Sequence, residues 1–349
     1  LFVYIPEQAE KPVNLRGKDI YDSYIRSAGQ TVRMSEHQVK EMLAQTQGRS
    51  FEMRIAQKNV GVDDLLNMLD CDKFYELIKK TQPHDPSLIV NRMAEYGFCI
   101  KNGERWDITN IGAILFAKDI TKFDGLTSNT VIVRKYVGTN NRNMISEHHC
   151  VMGYAVGFEY LVDYIMNQTI ASEMIEVKRE MLPTYPRKAI REFVANALIH
   201  QDFSIGGMQV TIEIFSDRIS ITNPGPPLND VNRLIDLPPH SRNERLAEAM
   251  FLLGICEKRG SGIDRAIEAI ETMSLPAPKF SNSEIHTRVT MFPKKSWKDM
   301  TKQERIMACY QHACLMYEDN KSINNQSVRD RFKLEKNNTA VASKIIGDT

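Results

Sequence analysis

The stretch Pro186-Arg187-Lys188-Ala189-Ile190-Arg191-Glu192-Phe193-Val194-Ala195-Asn196-Ala197-Leu198-Ile199-His200-Gln201-Asp202 decides the fold. Ile190, Phe193, Val194, Ala197 and Leu198 recur at helical spacing and form one apolar face. Pro186 stands where a helix start accepts proline. The spacing predicts a helix over 187–200. Glu192 and Asn196 are four apart, so they lie one turn from each other on one face. A carboxylate at that place can act as a general base, and a carboxamide oxygen can hold Mg²⁺, which prefers oxygen ligands. A solvated polar pair fits the same spacing. His200, at the helix C-terminus, is placed to offset the helix dipole.

Working outward, Gln209 to Phe215 and Arg218 to Thr222 alternate as two strands turning at Ser216-Asp217. They end in Asn223-Pro224-Gly225-Pro226. A Pro/Gly-rich loop follows to 240, then helices over 243–253 and 262–273 and a strand over 286–292. Before the second of these helices stands Glu257-Lys258-Arg259-Gly260-Ser261-Gly262-Ile263-Asp264. A Gly-Ser-Gly turn opening a helix offers free backbone N–H groups at the positive end of the dipole, which suits phosphate. It also suits a tight turn alone. This order of helix, hairpin, loop, helix and strand predicts an α+β sandwich.

These motifs resemble the RecG-related transcriptional regulators. The residues that carry the likeness are Arg191 to Ser204, Ile221 to Pro227, Ser241-Arg242-Asn243 and Glu257 to Arg265. The resemblance covers about residues 176–293 and implies a divergent ATPase module of the GHKL superfamily, to which gyrase B, MutL and histidine kinases belong. It implies ATP and Mg²⁺ as cofactors. Glu192 falls at that superfamily's base, and Asn196 at its Mg²⁺-binding asparagine. Asn223 and Gly225 fall at the adenine-reading position and the glycine after it. Gly260 and Gly262 fall at the later glycine box that meets the phosphates, with Ser261 between them in the turn and Lys258 supplying charge nearby. The superfamily's adenine reader is Asp, and here it is Asn223, a weaker and uncharged acceptor. Where the family has His-Arg-Asp-Tyr, this chain has His200-Gln201-Asp202-Phe203.

Upstream, Asp22 to Ser35 is similar to the end of an AlbA_2 (Schlafen-type) domain, which implies nucleic-acid contact. Residues 1–50 are expected to be the C-terminal part of such a partial α/β domain. A helix from Ser35 to about Gln47 closes it. Residues 51–175 read as a connector of helices and strands. Apolar stripes over 61–96 give three short helices, and Phe98-Cys99-Ile100 and Trp106-Asp107-Ile108 make a hairpin around Asn102-Gly103. That pattern fits a winged helix as well as a helical connector. Residues 111–117 form an apolar stretch, 130–137 a strand, and Met152 to about Ala171 a long helix.

Residues 294–349 read as a winged helix-turn-helix segment cut before its wing. Thr301 and Glu304 fit a capping box, and three helices follow. The segment holds eleven Lys and Arg against seven Asp and Glu, an excess suited to phosphate contacts. Asn337, Asn338, Thr339, Ser343 and Lys344, assigned to the third helix, are the candidate DNA readers. A helical interaction module fits the same pattern.

The whole chain has 349 residues and a formal net charge of +1. Bulk electrostatic attraction to nucleic acid is excluded, whereas a local basic patch is not. No run of eighteen apolar residues exists, so no membrane span is expected. Six cysteines without a CxxC pair fit a reducing cytoplasm. Cys309 and Cys314 are five apart and read as packing residues. His148-His149-Cys150 lacks a matching second ligand pair and reads as a loop or strand end. A Walker A loop is absent, which excludes a helicase motor in this stretch. Leu1 to Pro6 reads as the middle of a strand, and both ends read as cuts inside domains. Taken together, the sequence predicts a cytoplasmic DNA-binding regulator, an oligomer, switched by nucleotide. A true Mg²⁺-dependent ATPase and a non-catalytic scaffold are the alternatives.

Overall fold

The structure, a computed structural model, describes residues 18–27, 30–46, 50–175, 178–235, 241–256 and 262–349. Near the start, β1 (Tyr24–Ser27) and β2 (Gln30–Arg33) pair antiparallel, and α1 (Glu36–Thr46) follows. Ser35 and Gln38 exchange hydrogen bonds at the start of α1, as a capping box does.

A second unit runs from β3 (Ile55–Val60) through α2 (Val62–Met68), α3 (Cys71–Leu77), α4 (Pro86–Glu95), β4 (Cys99–Asn102) and β5 (Arg105–Thr109) to α5 (Asn110–Phe116). Its sheet has the order β3-β5-β4. The predicted hairpin forms, and β3 adds to its open edge. The apolar stretch at 111–117 is the helix α5, buried along its whole length because Gly112 and Ala113 let it approach neighbouring backbone. A Cβ at Gly112 would stand 2.8 Å from the carbonyl carbon of Phe98.

The central layer is a six-stranded sheet. It is built from β6 (Val131–Tyr136), β7 (Met144–Cys150), β10 (Val210–Ile214), β11 (Ile219–Pro224), β12 (Lys279–Asn282) and β13 (His286–Met291). The order is β12-β13-β11-β10-β6-β7, with β10 and β6 parallel and the other pairs antiparallel. Two of its strands thus come from 131–150, upstream of the segment that carries the sequence motifs. β10 alternates buried and half-buried residues, whereas β11, third from one edge, is buried throughout.

Helices cover one face of this sheet. They are α6 (Tyr154–Gln168), α7 (Arg187–His200) and α9 (Gly262–Thr272), and α7 packs on α6, on α9 and on β11. Between α6 and α7 a hairpin of β8 (Ile170–Ile175) and β9 (Lys178–Pro183) intervenes. α8 (Glu244–Leu252) lies beyond the Pro/Gly-rich loop. Phe158, Leu161, Phe193, Val194, Ile212, Ile221 and Ile270 belong to one apolar cluster that extends from Val60 to Met291. Each fully buried side chain of that size stabilises the fold by about 1.5–3 kcal/mol relative to exposure.

The chain ends in three helices, α10 (Lys302–Glu318), α11 (Asn325–Phe332) and α12 (Thr339–Asp348). Thr301 and Glu304 form the predicted capping box, and Asn324 with Ser327 forms a second one. No helix among the described residues is long and apolar enough to cross a membrane.

Candidate functional site

α7 forms where the sequence places it. Ala189, Ile190, Phe193, Val194, Ala197 and Leu198 are buried, and Glu192 and Asn196 stand half-buried on its flank. The packing of α7 on α9 brings Glu192 to Gly262. A Cβ built on Gly262 would collide with the Glu192 carboxylate, whose Cγ would be 3.0 Å away. A carboxylate therefore lies against the first residue of α9, where exposed N–H groups and the helix dipole favour negative charge. Asn196 makes no side-chain hydrogen bond among the described residues. Lys258, Gly260 and Ser261 fall in 257–261, outside the described residues.

The C-terminal end of α7 meets the end of β11. Asn223 is 6% exposed, and its Nδ2 donates to Pro224 O at 3.1 Å and to His200 O at 3.4 Å. Those two acceptors fix the flip of the amide and turn Oδ1 away from them. Gly225 follows at φ +94°, a conformation that glycine adopts without strain. A Cβ there would meet Asp202 Cβ at 2.6 Å. Gly225 N donates to Ile285 O at 2.8 Å, and Thr287 Oγ1 donates to Gly225 O at 2.8 Å. The Asn-Pro-Gly turn is thereby fastened to the β13 side of the sheet.

The Ser241-Arg242-Asn243 motif ties these parts together. Asn243 Nδ2 donates to Ile199 O at 2.7 Å and to Gln201 O at 2.8 Å. Arg242 Nη1 donates to His200 O and Nη2 to Pro226 O, each at 3.2 Å. Arg242 Nε also stands 3.5 Å from Asp202 Oδ2. Carbonyls that a helix end leaves unpaired are thus satisfied by two side chains from a distant segment. This corrects the expectation for His200. Burial, with Arg242 beside it, holds its imidazole down at about 4. His200 is neutral near pH 7, so Arg242 is the cation at this end of α7.

α8 is capped by a residue that the sequence does not point to. Asn243 occupies its N-cap position but makes no cap bond, because its amide serves α7. Glu52 Oε1 instead accepts from Leu246 N at 2.6 Å. Phe51, next to it, stacks on Phe203 with ring centroids 4.5 Å apart. Phe203 therefore uses the whole ring in packing at the place where the family pattern has a tyrosine.

At the chain's C-terminal end, Asn337 and Asn338 lie in a 3₁₀ turn (Lys336–Asn338) before α12 rather than on it. Thr339, Ser343 and Lys344 are exposed on α12 itself. Asn325 Nδ2 donates to Thr339 O at 2.8 Å and to Ser343 Oγ at 2.9 Å, which fixes α11 against α12. Of the other candidates, His149 Nε2 lies 2.9 Å from Glu147 Oε1 and His148 stacks on Tyr164, both on the edge strand β7. Among the described residues no cluster of His, Cys, Asp or Glu could hold a metal ion. Cys309 is buried, Cys314 is half-buried, and among the described residues no cysteine is in a disulfide.

Residues 207–291 match the family model described as "Putative ATP-dependent DNA helicase recG C-terminal". That stretch includes β10, β11, the Asn-Pro-Gly turn and α9, and begins after α7. No curated protein matches the chain. Among solved structures, the DIP2311 protein from Corynebacterium diphtheriae is similar, with a TM-score of 0.54 and 14% identity. The match covers 94% of this chain and 65% of that one. At that identity the likeness concerns the fold. Residues 207–291 are thus similar to a RecG-related, ATPase-like domain, within a mixed α+β fold.

Proposed function

We propose that this protein is a nucleotide-responsive DNA-binding regulator. In this reading α7, the turn after β11 and the start of α9 hold ATP with Mg²⁺, and the C-terminal helices read DNA. The observation that carries it is the meeting of Glu192 with Gly262 beside Asn196, a residue type suited to a hard cation. Asn223 Oδ1, turned away from its own carbonyl partners, can accept from an adenine amino group. Lys258, Gly260, Ser261 and Gly262 would cradle the phosphates through backbone N–H groups and charge. Bound Mg²⁺ would neutralise phosphate charge. Thr339, Ser343 and Lys344, with Asn337 and Asn338 before them, would face a DNA groove. A pair of subunits fits paired half-sites.

The test is thermal stability with and without ATP and Mg²⁺, in the wild type and in Asn196→Ala. At a ligand concentration one hundred times Kd, binding stabilises the fold by about 2.7 kcal/mol. A shift in the wild type that is lost in Asn196→Ala supports the site. No shift at millimolar nucleotide would leave the domain as a scaffold.

Turnover is a second reading, favoured by the nearness of Glu192 to the phosphate-facing helix end. It requires Mg²⁺-dependent phosphate release that disappears in Glu192→Ala while nucleotide binding persists.

A further inference from the structure

The C-terminal unit has its own small core. Ala308, Cys309, Val328, Phe332, Ala342 and Ile345 pack together, with Trp297 against them. This cluster is separate from the main one. Polar groups at the far end of α9 join the two. Glu271 Oε2 lies 3.0 Å from His312 Nδ1 of α10, and Glu271 Oε1 lies 3.0 Å from Arg331 Nε of α11. Arg331 Nη2 donates to Leu275 O, and Gln311 Nε2 to Pro278 O, both at 2.9 Å.

These groups are withdrawn from water. The Arg331 side chain is 3% exposed, Glu271 14% and His312 13%. A guanidinium so deeply placed is tolerated only with a partner, and losing that partner is strongly destabilising. Glu271 therefore fixes how α10 and α11 sit on α9. Apolar contact beside the joint is incomplete. A void of about 20 Å³, lined by Leu234, Phe280, Met307 and Tyr310 among others, lies there.

α9 spans the distance between this joint and the candidate nucleotide site. Its eleven residues extend about 16 Å. At one end Gly262 lies under the Glu192 carboxylate; near the other stands Glu271. A phosphate and a carboxylate are both anions and repel at one helix N-terminus. Phosphate arriving there with its Mg²⁺ would change the charge balance under which Glu192 packs on Gly262, and so would favour a shift of Glu192, α9, or both.

We propose that α9 is the coupling element of the protein, with Glu271 as the positioning residue that passes its displacement to α10 and α11 and so to α12. This rests on the nucleotide reading above. By linkage, DNA held at α12 must change nucleotide affinity by the same factor as nucleotide changes DNA affinity.

The experiment uses the whole chain as wild type, Glu271→Gln, and the double variant Glu271→Gln with Arg331→Met, which leaves no buried charge unpaired. Kd is measured for AMP-PNP with Mg²⁺ and for a mixed-sequence DNA duplex, each with and without the other. In the wild type each ligand should shift the other's Kd by about fivefold or more. In the variants both ligands should still bind, and the mutual factor should fall to about one. A factor that survives in both variants overturns the proposal. So does a wild type that binds both ligands without mutual effect, an outcome that leaves the nucleotide site standing. Failure of the wild type to bind nucleotide brings down the nucleotide reading and this one together. The joint itself has an independent readout in tryptic cleavage after Lys294, Lys295 and Lys298. Cleavage should be several-fold faster in Glu271→Gln, and unchanged protection would refute the role of Glu271 whatever nucleotide does.

Discussion

The carboxylate of Glu192 occupies the space that a Cβ at Gly262 would fill. Inside a helix alanine is favoured over glycine by about 1 kcal/mol, so glycine at the start of α9 has a cause, and that cause is the carboxylate. Gly262→Ala should force Glu192 into another rotamer at a cost of about 1 kcal/mol. The two effects nearly cancel, so the single variant should have close to wild-type stability. In a Glu192→Ala background only the helix preference remains, and the same substitution should stabilise by about 0.5–1 kcal/mol. Urea midpoints of the four proteins measure this cycle. An equal effect of Gly262→Ala in both backgrounds would show that the two residues do not touch.

Glu52 caps α8 across 194 residues of chain. Glu52→Ala leaves Leu246 N without that acceptor and should cost about 1–2 kcal/mol, the range of a lost helix cap. Glu52→Gln keeps an acceptor oxygen in the same place and should cost less than half as much. Chemical denaturation of both variants distinguishes capping from charge. Equal losses would mean that the carboxylate acts by its charge, toward Arg245 for instance, rather than by accepting the bond.

The helices and strands around the candidate site were legible from apolar spacing. α7, β10, β11, α8, α9 and β13 stand within a few residues of the expected bounds, because each buries a regular stripe or alternation. β12 was not legible. Lys279-Phe280-Ser281-Asn282 holds one apolar residue, and only pairing with β13 makes it a strand. β7 reads in the sequence as no more than a loop or strand end, because its outward residues are exposed on the sheet edge. Ser241-Arg242-Asn243 was visible as a motif, but its work at the end of α7 was not, since nothing local in the sequence names a carbonyl some forty residues away. Glu52, Glu271 and Arg331 share that character. Each is an ordinary charged residue in sequence, and its role comes from what the fold places opposite it.

Asn243 illustrates the point quantitatively. It donates both of its amide protons to buried carbonyls. Asn243→Ala should cost about 2–3 kcal/mol, the penalty for stranding buried acceptors. Asn243→Asp should be no better and at neutral pH worse, because an ionised carboxylate has nothing to donate. Thermal melts of the two variants decide it. Rescue by aspartate would mean that the residue acts as an acceptor or as an N-cap for α8.

His200 and Asp264 give the fold two opposed responses to pH. Burial and Arg242 hold His200 at about 4, below its ordinary 6.5. Between those values the unfolded chain binds more protons there than the folded one, so His200 makes stability fall as pH drops. Asp264, at the start of α9, is pushed up to about 6 from 3.8 by burial and by Glu318 nearby. Over that window the folded state holds the proton better, so Asp264 makes stability fall as pH rises. The two effects oppose each other across nearly the same range. Relative to the wild type, His200→Gln should gain stability as pH is lowered from about 7 to about 5, and Asp264→Asn should lose it. Urea midpoints at several pH values across that range measure the two differences. If both variants deviate from the wild type in the same direction, at least one of these side chains does not sit in the environment described.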